Sequence, residues 1–178
     1  MKTMILKEYI VLSVIIIILA MAPIIIIQDR EQNKSEMERF EKYGVYEVQN
    51  VNIQNGKLIR AYQVKNELGR RHKGDLDKQT KLQLCYILWY SYNHFENVEE
   101  VEIISYYNYS GKMLPYYTYR TGRWEIEISK LGDASESEVL TYMEYYYRKL
   151  VKIGKLNVMD ENIPYWMEEE NGYSDSNK

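Results

Sequence analysis

A single cysteine, Cys85, in 178 residues excludes an intrachain disulfide and a cysteine-based zinc site, so stability must come from packing. With Leu84, Tyr86 and Ile87 around it, Cys85 reads as a buried thiol that behaves as a small hydrophobe. The two histidines, His72 and His94, lie on a predicted loop and near a predicted helix end, and supply no dedicated metal site. Gly-rich phosphate loops, H-E-x-x-H, paired Cys motifs and G-x-S-x-G are all missing. The acidic residues fall mostly on expected outer strand faces, in a polar stalk and in the tail, so no two carboxylates stand out in opposed environments. The expectation is a non-enzymatic protein with no metal or cofactor. Excess positive charge is lacking too: 23 basic residues stand against 26 acidic ones, which argues against nucleic acid as a partner.

What is abundant is apolar length at the front and tyrosine throughout. Tyr9–Ile27, YIVLSVIIIILAMAPIIII, carries no charge. As a helix it would reach roughly 28 Å, close to the hydrocarbon thickness of a bilayer. Pro23 after Ala20-Met21-Ala22 opposes signal-peptide cleavage, and the expectation is an uncleaved transmembrane signal anchor over residues 1–27. Residues 28–43 then read as a polar helical stalk or linker, residues 44–167 as one domain, and residues 168–178, EEENGYSDSNK, as an acidic disordered tail. This places the protein in a cytoplasmic membrane as a single-pass chain, with its C-terminal domain outside. Tyrosine, at nineteen residues against two phenylalanines, together with abundant Ile, Lys, Glu and Asn, suits an AT-rich bacterial genome.

Along the domain, Val45–Gln54 and Lys57–Lys65 flank Asn55-Gly56, the dipeptide of a two-residue type I′ hairpin turn. That turn sets Ile53 beside Leu58, and a bulge is expected near Gln49-Asn50. Residues 66–74 form a basic loop whose Arg70, Arg71 and Lys73 are candidates for binding an anion. Asp75 or Asp77 can cap a helix that runs to about Phe95 and is apolar on two stripes, as a central buried helix would be. Three strands are expected next, Val98–Tyr109, Met113–Arg120 and Trp124–Ser129, the last because Trp124, Ile126 and Ile128 alternate with Glu125 and Glu127. Ser135 and Glu138 make the capping box of a second long helix with an apolar stripe at Val139, Met143, Tyr146, Leu150 and Ile153, ending at Gly154. Leu156–Met159 can add a short strand and Ile163–Met167 an apolar clasp. The fold class is therefore α+β: a transmembrane helix, then a ββαβββα domain with a mainly antiparallel sheet packed on two helices.

Adjacent tyrosines on a strand point to opposite faces, so the runs YYNY at 106–109 and PYYTY at 115–119 cannot lie wholly in the core. Tyr106, Tyr109, Tyr116, Tyr117 and Tyr119 are the candidates for a partner-binding surface, since exposed tyrosine offers a large rigid contact. The expected function is a membrane-anchored protein-binding domain whose partners are the lipid bilayer and another protein. Its most concrete form is an immunity protein neutralising a secreted toxin. The alternatives are a structural subunit of a secretion, conjugation or sporulation assembly, and a cell-wall polysaccharide binder.

Overall fold

The structure, a computed structural model, describes residues 37–163. The chain divides into two units, residues 1–39 and 40–178. In the first, the described residues 37–39 are helical. The second holds everything below.

Five strands form one sheet in the spatial order of the sequence: β1 (Val45–Ile53), β2 (Gly56–Lys65), β3 (Val98–Tyr109), β4 (Lys112–Gly122) and β5 (Lys155–Val158). Between β2 and β3 runs α1 (Lys78–His94), and between β4 and β5 run α2 (Arg123–Ser129), α3 (Glu136–Thr141) and α4 (Met143–Ile153). The pairs β1–β2, β3–β4 and β4–β5 are antiparallel, whereas β2–β3 is parallel. The sheet is thus mixed. α1 supplies the long crossover that parallel neighbours need, returning the chain to the end from which β2 began.

The anchor is corrected. Among the described residues no helix is long and apolar enough to cross a membrane. The longest, α1, has 17 residues, spans roughly 25 Å and carries Lys78 and Lys81 within its first turns. Tyr9–Ile27 lies outside the described residues, as do the rest of the stalk before Met37, Pro164–Met167 of the clasp and the acidic tail. The transmembrane first element and the extracytoplasmic location therefore do not stand in the fold.

The domain's core reaches further toward the N-terminus than residue 44. Phe40 is fully buried, its ring edge-on to Tyr90 at 4.9 Å, and Tyr43 stacks on Tyr86 at 3.7 Å. α1 is central, as its two apolar stripes imply, with Leu84, Cys85, Ile87 and Leu88 completely buried. Each fully buried Leu or Ile contributes about 1.5–3 kcal/mol. The N-cap is Asp77, which accepts the backbone N–H groups of Gln79 and Thr80 at 3.1 Å. α1 and α4 lie on the sheet face presented by Gln63, Ser105, Tyr117 and Tyr119, since Gln83 meets Gln63 and the Leu150 carbonyl accepts from Tyr119. On the opposite face, Arg60 pairs with Glu102 at 2.6 Å and Arg120 pairs with Glu100.

Three further expectations change. The hairpin turns at Gln54-Asn55, one residue early: Ile53 pairs with Gly56 and Val51 with Leu58, and the bulge sits between Val45 and Glu47. The two-residue slip in pairing keeps parity, so no side chain changes face. Trp124–Ser129 is helix, because the Glu125 carboxylate turns back to accept the Gly122 N–H at 3.1 Å and starts a helix where a strand pattern could have run. Of its alternating apolar residues only Ile126 is buried, while Trp124 and Ile128 are exposed. The second long helix is two helices. Tyr142, at φ −107° and ψ 28°, ends α3 and opens α4.

Candidate functional site

The break at Tyr142 borders a wide concavity. α3 begins with the expected capping box, Ser135 with Glu138, and stops when the Tyr142 N–H reaches the Glu138 carbonyl at 2.8 Å. α4 starts at Met143, buried against α1, whose Cys85 thiol lies 3.8 Å from the Met143 carbonyl. Between this corner and the N-terminal turn of α1 lies a groove of about 990 Å³. Gly69, Arg70, Asp77, Lys78, Gln79 and Leu82 line one wall, and Leu140–Tyr145 the other. Leu140, Tyr142 and Tyr145 stand out around it with 39%, 58% and 54% of their surface exposed. Exposed apolar side chains clustered at a concavity are the usual mark of a contact surface.

The groove's buried carboxylate is committed to structure. Asp77 accepts Thr80 Oγ1 and the Tyr116 hydroxyl, at 3.1 Å for the latter, in addition to the two helix N–H groups. Those four donors use its acceptor sites, so it holds elements together instead of acting as a base. Nearby Asp75 accepts Lys81 Nζ at 2.7 Å, Tyr147 OH at 2.5 Å and the Leu76 N–H at 2.8 Å. Burial alone would raise its carboxyl, but these bonds outweigh it and hold the group below the ordinary carboxylate range. Tyr147, buried against the same carboxylate, is pushed up first by desolvation and then by that bond.

A second polar cluster lies deeper, between α1 and the sheet. Gln63 is its hub: Nε2 donates to the Tyr43 carbonyl at 2.8 Å and to Gln83 Oε1 at 3.0 Å, while Oε1 accepts Ser105 Oγ at 3.0 Å and Tyr117 OH at 2.9 Å. Lys65, 4% exposed, gives its ammonium to Gln83 Oε1 at 2.6 Å. Burial lowers its pKa, and Asp77 opposes that only in part. The Cys85 thiol is fully buried and raised by desolvation, so its thiolate is suppressed. Among the described residues no group of three or more His, Cys, Asp or Glu converges as a metal site.

The residues singled out from sequence are dispersed. Tyr116, Tyr117 and Tyr119 are completely buried and spend their hydroxyls on Asp77, Gln63 and the Leu150 carbonyl. They build the core and offer no contact surface, because a bulge in the β3–β4 pairing turns Tyr116 inward along with Tyr117. Tyr106 is half-buried on the sheet face away from α1, and Tyr109, 57% exposed, sits at the β3–β4 turn. Of the basic loop, Arg71 is buried and clasps Asp160 at 2.6 Å and the Ile163 carbonyl at 2.8 Å, fastening the end of the domain. Lys73 is exposed, and Arg70 alone of the three reaches the groove. Leu140, Tyr142 and Tyr145 were missed. Their signal was visible as apolar residues off the buried stripe of an amphipathic helix.

The architecture defines an α+β domain with a mixed five-stranded sheet, one face layered by α1 and α4, and an apolar groove at a helix break. The chain is 34% identical over 122 residues to Uncharacterized protein MJ0415 of Methanocaldococcus jannaschii, a match covering 68% of this chain and 75% of the relative. It belongs to the same family as that protein. The relative is archaeal, which overturns the bacterial attribution drawn from composition. No family model and no solved structure matches the chain.

Proposed function

We propose that the domain is a non-enzymatic protein-binding module whose contact surface is the groove at the α3–α4 break. The observation that carries this reading is the exposure of Leu140, Tyr142 and Tyr145 around one apolar concavity. Three large side chains held in water at one place cost solvation unless a partner covers them, and tyrosine at such a rim combines area with a hydroxyl. Arg70 and Lys78 on one wall and Glu144 on the other give a polar border around the apolar centre, the usual anatomy of a protein contact. The partner chemistry this fits is a protein segment that inserts an apolar side chain between α1 and the corner.

The test places a photo-crosslinking amino acid at Tyr142 in the native organism, with a control at exposed Asn52 on β1. A discrete adduct at position 142, lost when Leu140 is also changed to Asp, is expected. Equal labelling at both positions, or none, sinks the proposal.

A further inference from the structure

A second concavity, of about 580 Å³, lies where the β1–β2 turn, the start of β3, the end of β4 and the start of α2 meet. Its lining carries Glu99, Glu100 and Glu125 against Arg120, Arg123 and Lys155, three charges of each sign. Such a wall has no net preference for an anion or a cation, yet it is dense in donors and acceptors. Several are pre-oriented. Arg120 Nε donates to Glu100 at 2.8 Å, Arg123 Nη2 donates to the Val98 carbonyl at 2.6 Å, and Arg123 Nε lies 3.4 Å from Glu99. These four side chains keep between 34% and 49% of their surface exposed, so the pairs are open to water. Thr121 also lines it, itself buried.

At the edge stands Trp124, 70% exposed, the most exposed large apolar side chain described. An indole held in water at the border of a polar cleft is an apolar platform beside a hydrogen-bonding wall. That pairing matches a pyranose ring, which has one face of C–H bonds and a rim of hydroxyls that both donate and accept. We infer that this cleft, with Trp124 as its stacking platform and the Arg120–Glu100 and Arg123–Glu99 pairs as its polar wall, binds an uncharged saccharide. Balanced pairs suit hydroxyls because each offers a donor and an acceptor side by side, and bonds to charged partners are the stronger kind. The site is separate from the α3–α4 groove and independent of what occupies it.

The experiment is a ¹H–¹⁵N NMR titration of the full chain with three uncharged probes, maltotriose, cellotriose and N,N′,N″-triacetylchitotriose, and with inorganic phosphate as an anionic comparison. Saturable shifts confined to the Trp124 indole N–H and the backbone of residues 120–125 are expected with at least one sugar, in the millimolar range. Trp124→Ala should weaken that sugar about tenfold. Glu100→Gln should weaken it too, while both variants keep the wild-type spectrum elsewhere. Absence of shifts with all three sugars, a response to phosphate that matches the sugars, or unchanged affinity in Trp124→Ala overturns the inference.

Discussion

The Tyr116 hydroxyl donates to Asp77 Oδ2 at 3.1 Å, so a residue at a bulge in β4 is bonded to the N-cap of α1, 39 positions earlier. The same carboxylate caps the helix, and sheet and helix are therefore fixed to each other through one side chain. Removing Tyr116's hydroxyl in Tyr116→Phe leaves Asp77 with its three other donors and should cost about 1–1.5 kcal/mol. Asp77→Ala removes the cap as well and strands the buried tyrosine hydroxyl, for about 2–4 kcal/mol. Urea unfolding monitored by circular dichroism measures both. Equal losses for the two variants would show that the cap and the sheet bond are not separable.

Lys65 should make stability depend on pH. Its pKa in the folded protein is lowered from the ordinary 10.5 because burial disfavours the ammonium. Between the lowered value and 10.5 the unfolded chain binds more protons than the folded one, so stability rises with pH across that window. Below it the cost of the buried charge is fully present. Lys65→Met leaves Gln83 Oε1 its bond from Gln63 and should stabilise the protein by about 1 kcal/mol at pH 7. The gain should shrink as pH approaches the ordinary lysine value. Thermal melts of both proteins across that range decide it, and a gain independent of pH would contradict the sign.

Gly154 should resist even alanine. Its backbone, at φ −85°, suits any residue, yet a Cβ there would lie 2.2 Å from the Tyr119 hydroxyl and 2.6 Å from its ring carbon Cζ. Tyr119 is completely buried, with its hydroxyl bonded to the Leu150 carbonyl at 2.9 Å, so it has no room to withdraw. Gly154→Ala should cost about 1–3 kcal/mol through overpacking. Tyr119→Phe in the same chain should recover only part, because the ring itself still collides. Denaturation midpoints of the two single variants and the double variant form the required cycle.

Local chemistry was readable where one residue decides one outcome. Asp75 or Asp77 before an apolar pattern announced the start of α1, with Asp77 proving to be the cap, and Val98–Tyr109 alternated cleanly enough to give β3 its observed bounds. What stayed hidden depended on competition between elements. Trp-Glu-Ile-Glu-Ile alternates like a strand, but a single bond from Glu125 to the Gly122 N–H turns it into helix. The parallel β2–β3 pairing was invisible because periodicity reports which face is buried and says nothing of a neighbour's direction. The tyrosine runs announced that some rings must be exposed. Which strand rings turn inward depended on the bulge that buries Tyr116, and that bulge has no short-range signature.

Tyr142 and Met143 are neighbours on that break with opposite fates, and the contrast separates folding from contact. Met143 is 5% exposed and packs toward α1, so Met143→Ala should cost about 2–5 kcal/mol. Tyr142 is 58% exposed and Leu140 39% exposed, so Tyr142→Ser with Leu140→Ser should change stability by no more than about 0.5 kcal/mol each. If the rim is surface kept apolar for a partner, the double variant should melt with the wild type and gain solubility, and Leu140→Ser alone should lose the adduct formed through the crosslinker at position 142. A large fall in melting temperature would instead make Leu140 and Tyr142 part of the fold's own packing, and the groove would then be a by-product of the helix break.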